Sequence, residues 1–241
     1  MEKLTEDELR QNLSLCYRIL ANLQLDDMTY THLSARLPHS EAFFIYPFGL
    51  LFSEVTPQCL LKIKLDGTVL EGIAHTYNPT GYVIHSSIYR HRPDINAIFH
   101  LHTEAGVAVS AMQCGLLPIS QWALHFYERL SYHDYHALAL TAEHESKLVH
   151  DLKDNFTLFL KNHGTLTAGR TLHEALFYTH HLEKACRTQC LALASQTPLT
   201  IPPPAVCLQT VNELLNFEAD LGKRDWDAHV RRMNQSSKTI V

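Results

Sequence analysis

Apolar positions along the chain repeat with a helical period at its start and with a shorter, strand-like period through its middle. Thr5-x-x-Glu8 is a capping box, and Leu9, Leu13, Cys16 and Leu20 follow at helical spacing, which predicts a first helix ending near Asn22. The stretches "THLSARLP", "AFFIYP" and "LLKIKLDGTVLEG" then read as strands, the last folded at Asp66-Gly67. Asn78 caps a second helix with Pro79 at its first position, ending before Pro93. From Ile95 to Met112, "INAIFHLHTEAGVAVSAM" is an apolar strand running straight into a helix. Short extended pieces are expected around "LLPIS" and "ERLSYHDYHALAL". Thr141 opens a helix over "AEHESKLVHDL", and "FTLFLKNHGTLTAG" reads as two strands meeting at His163-Gly164. A second capping box, Thr171-x-x-Glu174, starts a long helix to about Ser195. The proline-rich "TPLTIPPPAV" is extended and marks the one boundary, separating a main domain over 1–198 from a linker and helical arm over 199–241. There is no internal repeat. Strands in the middle, helices interspersed and several tight turns predict a mixed α/β sandwich with an at least partly antiparallel sheet.

Composition narrows the function more than the fold. A chain of 241 residues with 46% hydrophobic and 19% charged positions has a full globular core. A net charge of -5 and no dense Lys/Arg run exclude a nucleic-acid binder. No apolar run approaches the ~18 residues of a membrane span. The polar start "MEKLTEDELR" lacks a signal-peptide pattern. Six cysteines without a CxxC read as reduced thiols, so a cytoplasmic protein is expected.

Candidate chemistry sits at strand ends. In a strand, His100 and His102 project to one side while Leu101 points away. With 17 histidines in the chain, chance alone supplies roughly one His-x-His pair. "KNHGT" places His163 beside a glycine at another strand turn. Three neutral imidazoles with an open position form a catalytic-type metal site; the plainer alternative is that each ring tops its strand and hydrogen-bonds locally. His180 and His181 diverge by about 100° on a helix and make no chelate. Tyr127, Tyr132, His133, Asp134 and His136 form a polar-aromatic cluster, a source of a proton donor or a solvated strand edge. The chain carries no dinucleotide fingerprint, nucleophile elbow or P-loop.

The ordered runs "NPTGYVIHSSIYRHRPDINAIFHLHTEAGVAVSAMQCGLLPIS", "LSYHDYHALAL", "LKNHGTLTAGRTLHEALF" and "ACRTQCLALAS" resemble the class II aldolase/adducin family over roughly residues 8 to 198. The resemblance implies a three-layer α/β/α fold with a central, mostly antiparallel sheet. It also implies a zinc or other divalent ion on His100, His102 and His163, a small-molecule carbonyl substrate and a homotetramer with sites at subunit contacts.

The departures from the family pattern are as informative. The zinc aldolases use a glutamate four residues ahead of the position of His85, as ligand and base; Gly81 stands there. Their proton-donating tyrosine falls at Trp122. The Gly- and Asn-containing phosphate loop matches "MTYTHLSAR", with Thr31 and His32 in those places, and a pair of phosphate-binding serines matches Pro79-Thr80. "NPTGYVIH", "HLHT", "CGLLPIS" and "YHDYH" resemble the adducin head and its bacterial relatives more closely. After "HT" that branch usually has proline; here Glu104 follows, either a dipole-favourable first-turn acid or a replacement carboxylate for catalysis. His85, Tyr127 and His133 are further candidates for proton transfer or support of the site. Two functions compete: a metal-dependent lyase, or related isomerase or dehydratase, and a non-catalytic interaction module of adducin-head type.

Overall fold

The computed structural model describes residues 4–135 and 142–236. Helix α1 (Glu6–Asn22) begins where Thr5 accepts from the Glu8 N–H and the Glu8 carboxylate accepts from the Thr5 N–H at 2.9 Å. The strands follow as β1 (His32–Ala35), β2 (Ala42–Ile45), β3 (Leu61–Lys64), β4 (Val69–Glu71), β5 (Ala97–Leu101), β6 (Leu130–His133), β7 (Thr157–Leu160) and β8 (Gly164–Gly169). Between and after them lie α2 (Pro79–His91), α3 (Glu104–Ser110), α4 (Gln121–Leu124), α5 (Ala142–Leu152), α6 (Leu172–Ala194), α7 (Pro204–Asn216) and α8 (Lys223–Ser236). These bounds match the predicted elements closely. "LLPIS" departs from the prediction: it forms no strand, because the Leu116 and Leu117 N–H groups donate to the Tyr132 hydroxyl and Gln189 Oε1 rather than to a ladder. The end of "TPLTIPPPAV", expected extended, instead opens α7 at Pro204, and the predicted helix start at Thr141 and the end of "ERLSYHDYHALAL" lie outside the described residues.

The eight strands form one sheet in the order β4-β3-β2-β1-β5-β8-β7-β6, antiparallel throughout except for the parallel β6–β7 pair. Helices flank this sheet, as the mixed pattern requires. Strand β5 lies inside it and is buried at every residue, which is why it reads as an unbroken apolar run. Alternation divides its neighbours. Leu33 and Phe99 pair across β1 and β5 on the face where Tyr17 of α1 hydrogen-bonds the Leu33 backbone. Thr167, opposite Phe99, reaches Thr179 of α6 at 2.5 Å on that face. His32 and His100 pair on the other face, as do Ser34 and Ile98, and Ser34 bonds to α2. The buried Arg36 guanidinium ties the end of α2 to the sheet through the Tyr89, Arg92 and Ile95 carbonyls at 3.0 Å each.

Past α6, residues 198–203 carry no regular structure, consistent with their prolines. The chain then turns back on itself. Helix α8 packs on α6, Trp226 joins the main apolar core, and His173 meets Asp220 at 2.6 Å. No helix among the described residues is long and apolar enough to cross a membrane.

Candidate metal centre

One strand end and one turn build the site. His100 is the fourth residue of β5 and almost fully buried; His102 lies just beyond the strand; His163 sits in the turn joining β7 to β8. Asn162 holds that turn with φ of 58°, and the His163 N–H closes it on the Leu160 carbonyl at 3.0 Å. Gly164 then enters β8 against the Leu101 backbone; a Cβ there would collide with the Leu101 carbonyl and stand 3.0 Å from the His102 ring. Without a side chain, β8 approaches β5 closely enough to bring His163 onto His102.

The ring nitrogens converge. His102 Nε2 lies 3.0 Å from His100 Nε2 and 2.9 Å from His163 Nε2. Opposite edges decide how two of the rings present themselves. His100 Nδ1 is 3.0 Å from the Thr165 carbonyl, which only accepts, so Nδ1 carries the proton and Nε2 keeps its lone pair. His102 Nδ1 is 2.9 Å from Asp27 Oδ2, with the same consequence. Burial, reinforced by the neighbouring histidines, holds His100 well below the ordinary imidazole pKa and takes His163 to about 4. Three imidazoles whose Nε2 atoms meet at one point, with partners behind two of them, suit a divalent cation. Around a tetrahedral zinc with bonds of about 2.0–2.1 Å, ligand nitrogens stand roughly 3.3 Å apart, slightly wider than here. The donor set therefore fits a metal ion.

Beneath this triad lies a buried polar chain. His32 packs its ring 5.0 Å from that of His100 and places Nδ1 2.8 Å from His85 Nε2. His85 Nδ1 contacts the Ser34 hydroxyl, which lies 2.8 Å from the Tyr89 hydroxyl. Burial takes His85 to about 3 and pulls His32 well down, aided by its histidine neighbours. The space over Gly81 belongs to His32: a Cβ on residue 81 would stand 2.8 Å from His32 Cδ2 and 2.9 Å from Nε2.

The sequence-selected residues divide clearly. His100, His102 and His163 come together within 4.8 Å as ligand atoms, with no carboxylate in the group. His85 stands behind them, through His32. Glu104 is exposed on the first turn of α3, outside that group of atoms. His133 is buried at the end of β6, 2.7 Å from Asp151, and bears electrostatically on His163. Tyr127 lies in the turn after α4, and Trp122 is 43% exposed on α4 itself. His136 of the polar-aromatic cluster falls outside the described residues. Asp27, His32 and Tyr135, whose ring stands 6.4 Å from that of His163, belong to the site without having been selected. His32 carried a readable signal, since "HLS" puts His32 and Ser34 on one face of β1. Asp27 carried none; it is 75 residues from the ring it holds.

An α/β fold with three convergent histidines at its strand ends is the architecture of a class II aldolase. The family model for the class II aldolase and adducin N-terminal domain matches residues 11–190. The crystal structure of an aldolase II superfamily protein from Pseudomonas syringae superposes with a TM-score of 0.91 at 40% identity, covering 96% of this chain and 94% of the other. An L-fuculose 1-phosphate aldolase from Glaciozyma antarctica gives a TM-score of 0.78 at 30% identity, over 87% of this chain and 82% of the other. Alpha-adducin of Rattus norvegicus is 41% identical over 194 residues, 79% of this chain but only 26% of adducin, so the chain spans about a quarter of that relative. The chain belongs to the class II aldolase and adducin N-terminal domain family.

Proposed function

We propose that this protein is a zinc- or other divalent-metal-dependent lyase, or a related isomerase or dehydratase, acting on a small hydroxy-carbonyl or sugar-derived compound. The observation that carries the reading is the convergence of three Nε2 atoms, two of them oriented by Thr165 and Asp27. His100, His102 and His163 hold the ion. When bound, the ion supplies Lewis-acid polarisation of a carbonyl. The protein's own part is to hold the three rings aimed at one point. Proton transfer falls to a group other than residue 81, whose glycine offers nothing. Glu104, Tyr127 and His133 remain candidates, and His133 is the one that bears electrostatically on the triad.

The test is metal analysis of the purified protein, followed by a screen of hydroxy-carbonyl compounds with and without chelator. One equivalent of metal and chelator-sensitive turnover are expected, and His102→Ala should lose the metal while the protein stays folded. Undiminished metal in that variant would sink the assignment. A second reading is a non-catalytic module of adducin-head type that keeps the fold and the ion. It is supported by the absence of a carboxylate from the ligand group and by the 41% identity to alpha-adducin. Metal without turnover on any compound of the screen would favour it.

A further inference from the structure

His32 was not needed to explain the metal centre, yet it is a buried and constrained polar side chain beside it. It is 2% exposed, and its Nδ1 is committed to His85. His85 is itself fully engaged, through Nε2 to His32 and Nδ1 to Ser34, and Ser34 continues to Tyr89. This chain fixes the plane of the His32 ring. The other nitrogen, Nε2, makes no hydrogen bond among the described residues. Nor is it one of the fully buried, unpartnered polar side-chain atoms, which among the described residues are Thr31 Oγ1, Asn96 Oδ1 and His125 Nδ1.

An unpaired, oriented nitrogen in a nearly closed site normally has a partner. His32 does not serve as a fourth ligand in this arrangement, because it is outside the ring nitrogens that lie within 4.8 Å of one another. It pairs with His100 across β1 and β5, one strand away from the triad. That places it beside whatever the ion holds. Gly81 completes the device, since any Cβ there would press on the Nε2 edge of a ring that His85 prevents from swinging away.

We propose that His32 is a ligand-contacting residue, its Nε2 hydrogen-bonding a hydroxyl of the molecule bound at the histidine triad, with Gly81 leaving it room. A hydroxyl fits either tautomer of His32, because it both donates and accepts. The proposal rests on the reading that the triad holds an ion.

Acetohydroxamate and glycolohydroxamate, bidentate zinc chelators differing by one hydroxyl, test it on the zinc-loaded protein by calorimetry. The wild type should bind glycolohydroxamate about five- to tenfold more tightly, the worth of one hydrogen bond. His32→Phe should reduce that preference to near unity while zinc stoichiometry and acetohydroxamate affinity stay the same. His32→Gln, which restores a polar group, should recover part of it. Gly81→Ala, which displaces the ring without touching its chemistry, should lose it. A preference that survives His32→Phe overturns the proposal. So does a wild type that binds the two probes equally or binds neither. Loss of zinc in both His32 variants overturns it too, by making His32 a ligand. A wild type that takes up no zinc defeats the metal reading itself, a result distinct from all of these.

Discussion

Asp27 and His102 form the carboxylate–histidine pair that commonly stands behind a metal, with Oδ2 2.9 Å from Nδ1. Removing such a partner frees the ring to rotate and lets the wrong tautomer form, typically costing 10–100-fold in metal affinity. Asp27→Ala should therefore weaken zinc binding by about that factor while retaining the stoichiometry, as measured by competition with a chromogenic chelator. Unchanged affinity would leave Asp27 as a surface acid. At this scale the three convergent histidines were legible and their supports were not. His-x-His on a strand and Asn-His-Gly at a turn are local patterns. The contact of His102 with Asp27, and the Gly81 vacancy taken by His32, join residues far apart in the chain.

The decisive contact among the elements is the one between β5 and β8. Their antiparallel register pairs Leu101 with Thr165 and so sets the start of β8 beside His102. Gly164 makes the approach possible. Gly164→Ala should cost about 1–3 kcal/mol, as overpacking does, and should lower metal affinity as well, because the added methyl pushes the turn away from His102. Urea unfolding read beside zinc titration would show both; a variant that loses stability yet binds zinc as before would separate the glycine from the site. Most elements were predictable because their signals are local: capping boxes at Thr5 and Thr171, Asn78-Pro79, and the turn at Asp66-Gly67 with Gly67 at φ of 91°. "LLPIS" was misread because its backbone donors go to side chains on β6 and α6, which nothing within those five residues records.

Among the described residues five histidines are buried, His32, His85, His100, His125 and His133, and that shapes the response to acid. Burial brings His85 to about 3 and both His125 and His163 to about 4, against about 6.5 in an unfolded chain. The unfolded chain then holds more protons than the folded one between roughly pH 4 and 6.5, so stability is intact above that window and falls as pH drops through it. Melting temperature should decline steadily from pH 7 to pH 5, and His85→Asn should flatten the decline. A pH-independent midpoint would contradict the burial of these rings. Assembly belongs to this scale too. The homotetramer that the family resemblance implies predicts a mass near four times 27.5 kDa by light scattering, and a monomer across micromolar concentrations would remove it.

By itself the sequence determined most of the elements, the mixed α/β class, the family and the three histidines that converge. Each of these is written in short-range patterning or in ordered motifs. Only the tertiary structure decided the strand order β4-β3-β2-β1-β5-β8-β7-β6, which seats β1 beside β5 and so brings His32 against His100. It also decided that Glu104 faces solvent and that Asp27 turns to His102. The physical reason is the same in each case. Local sequence sets the dihedral preferences and apolar faces of a segment, whereas a site is made where segments distant in the chain are pressed together to bury those faces.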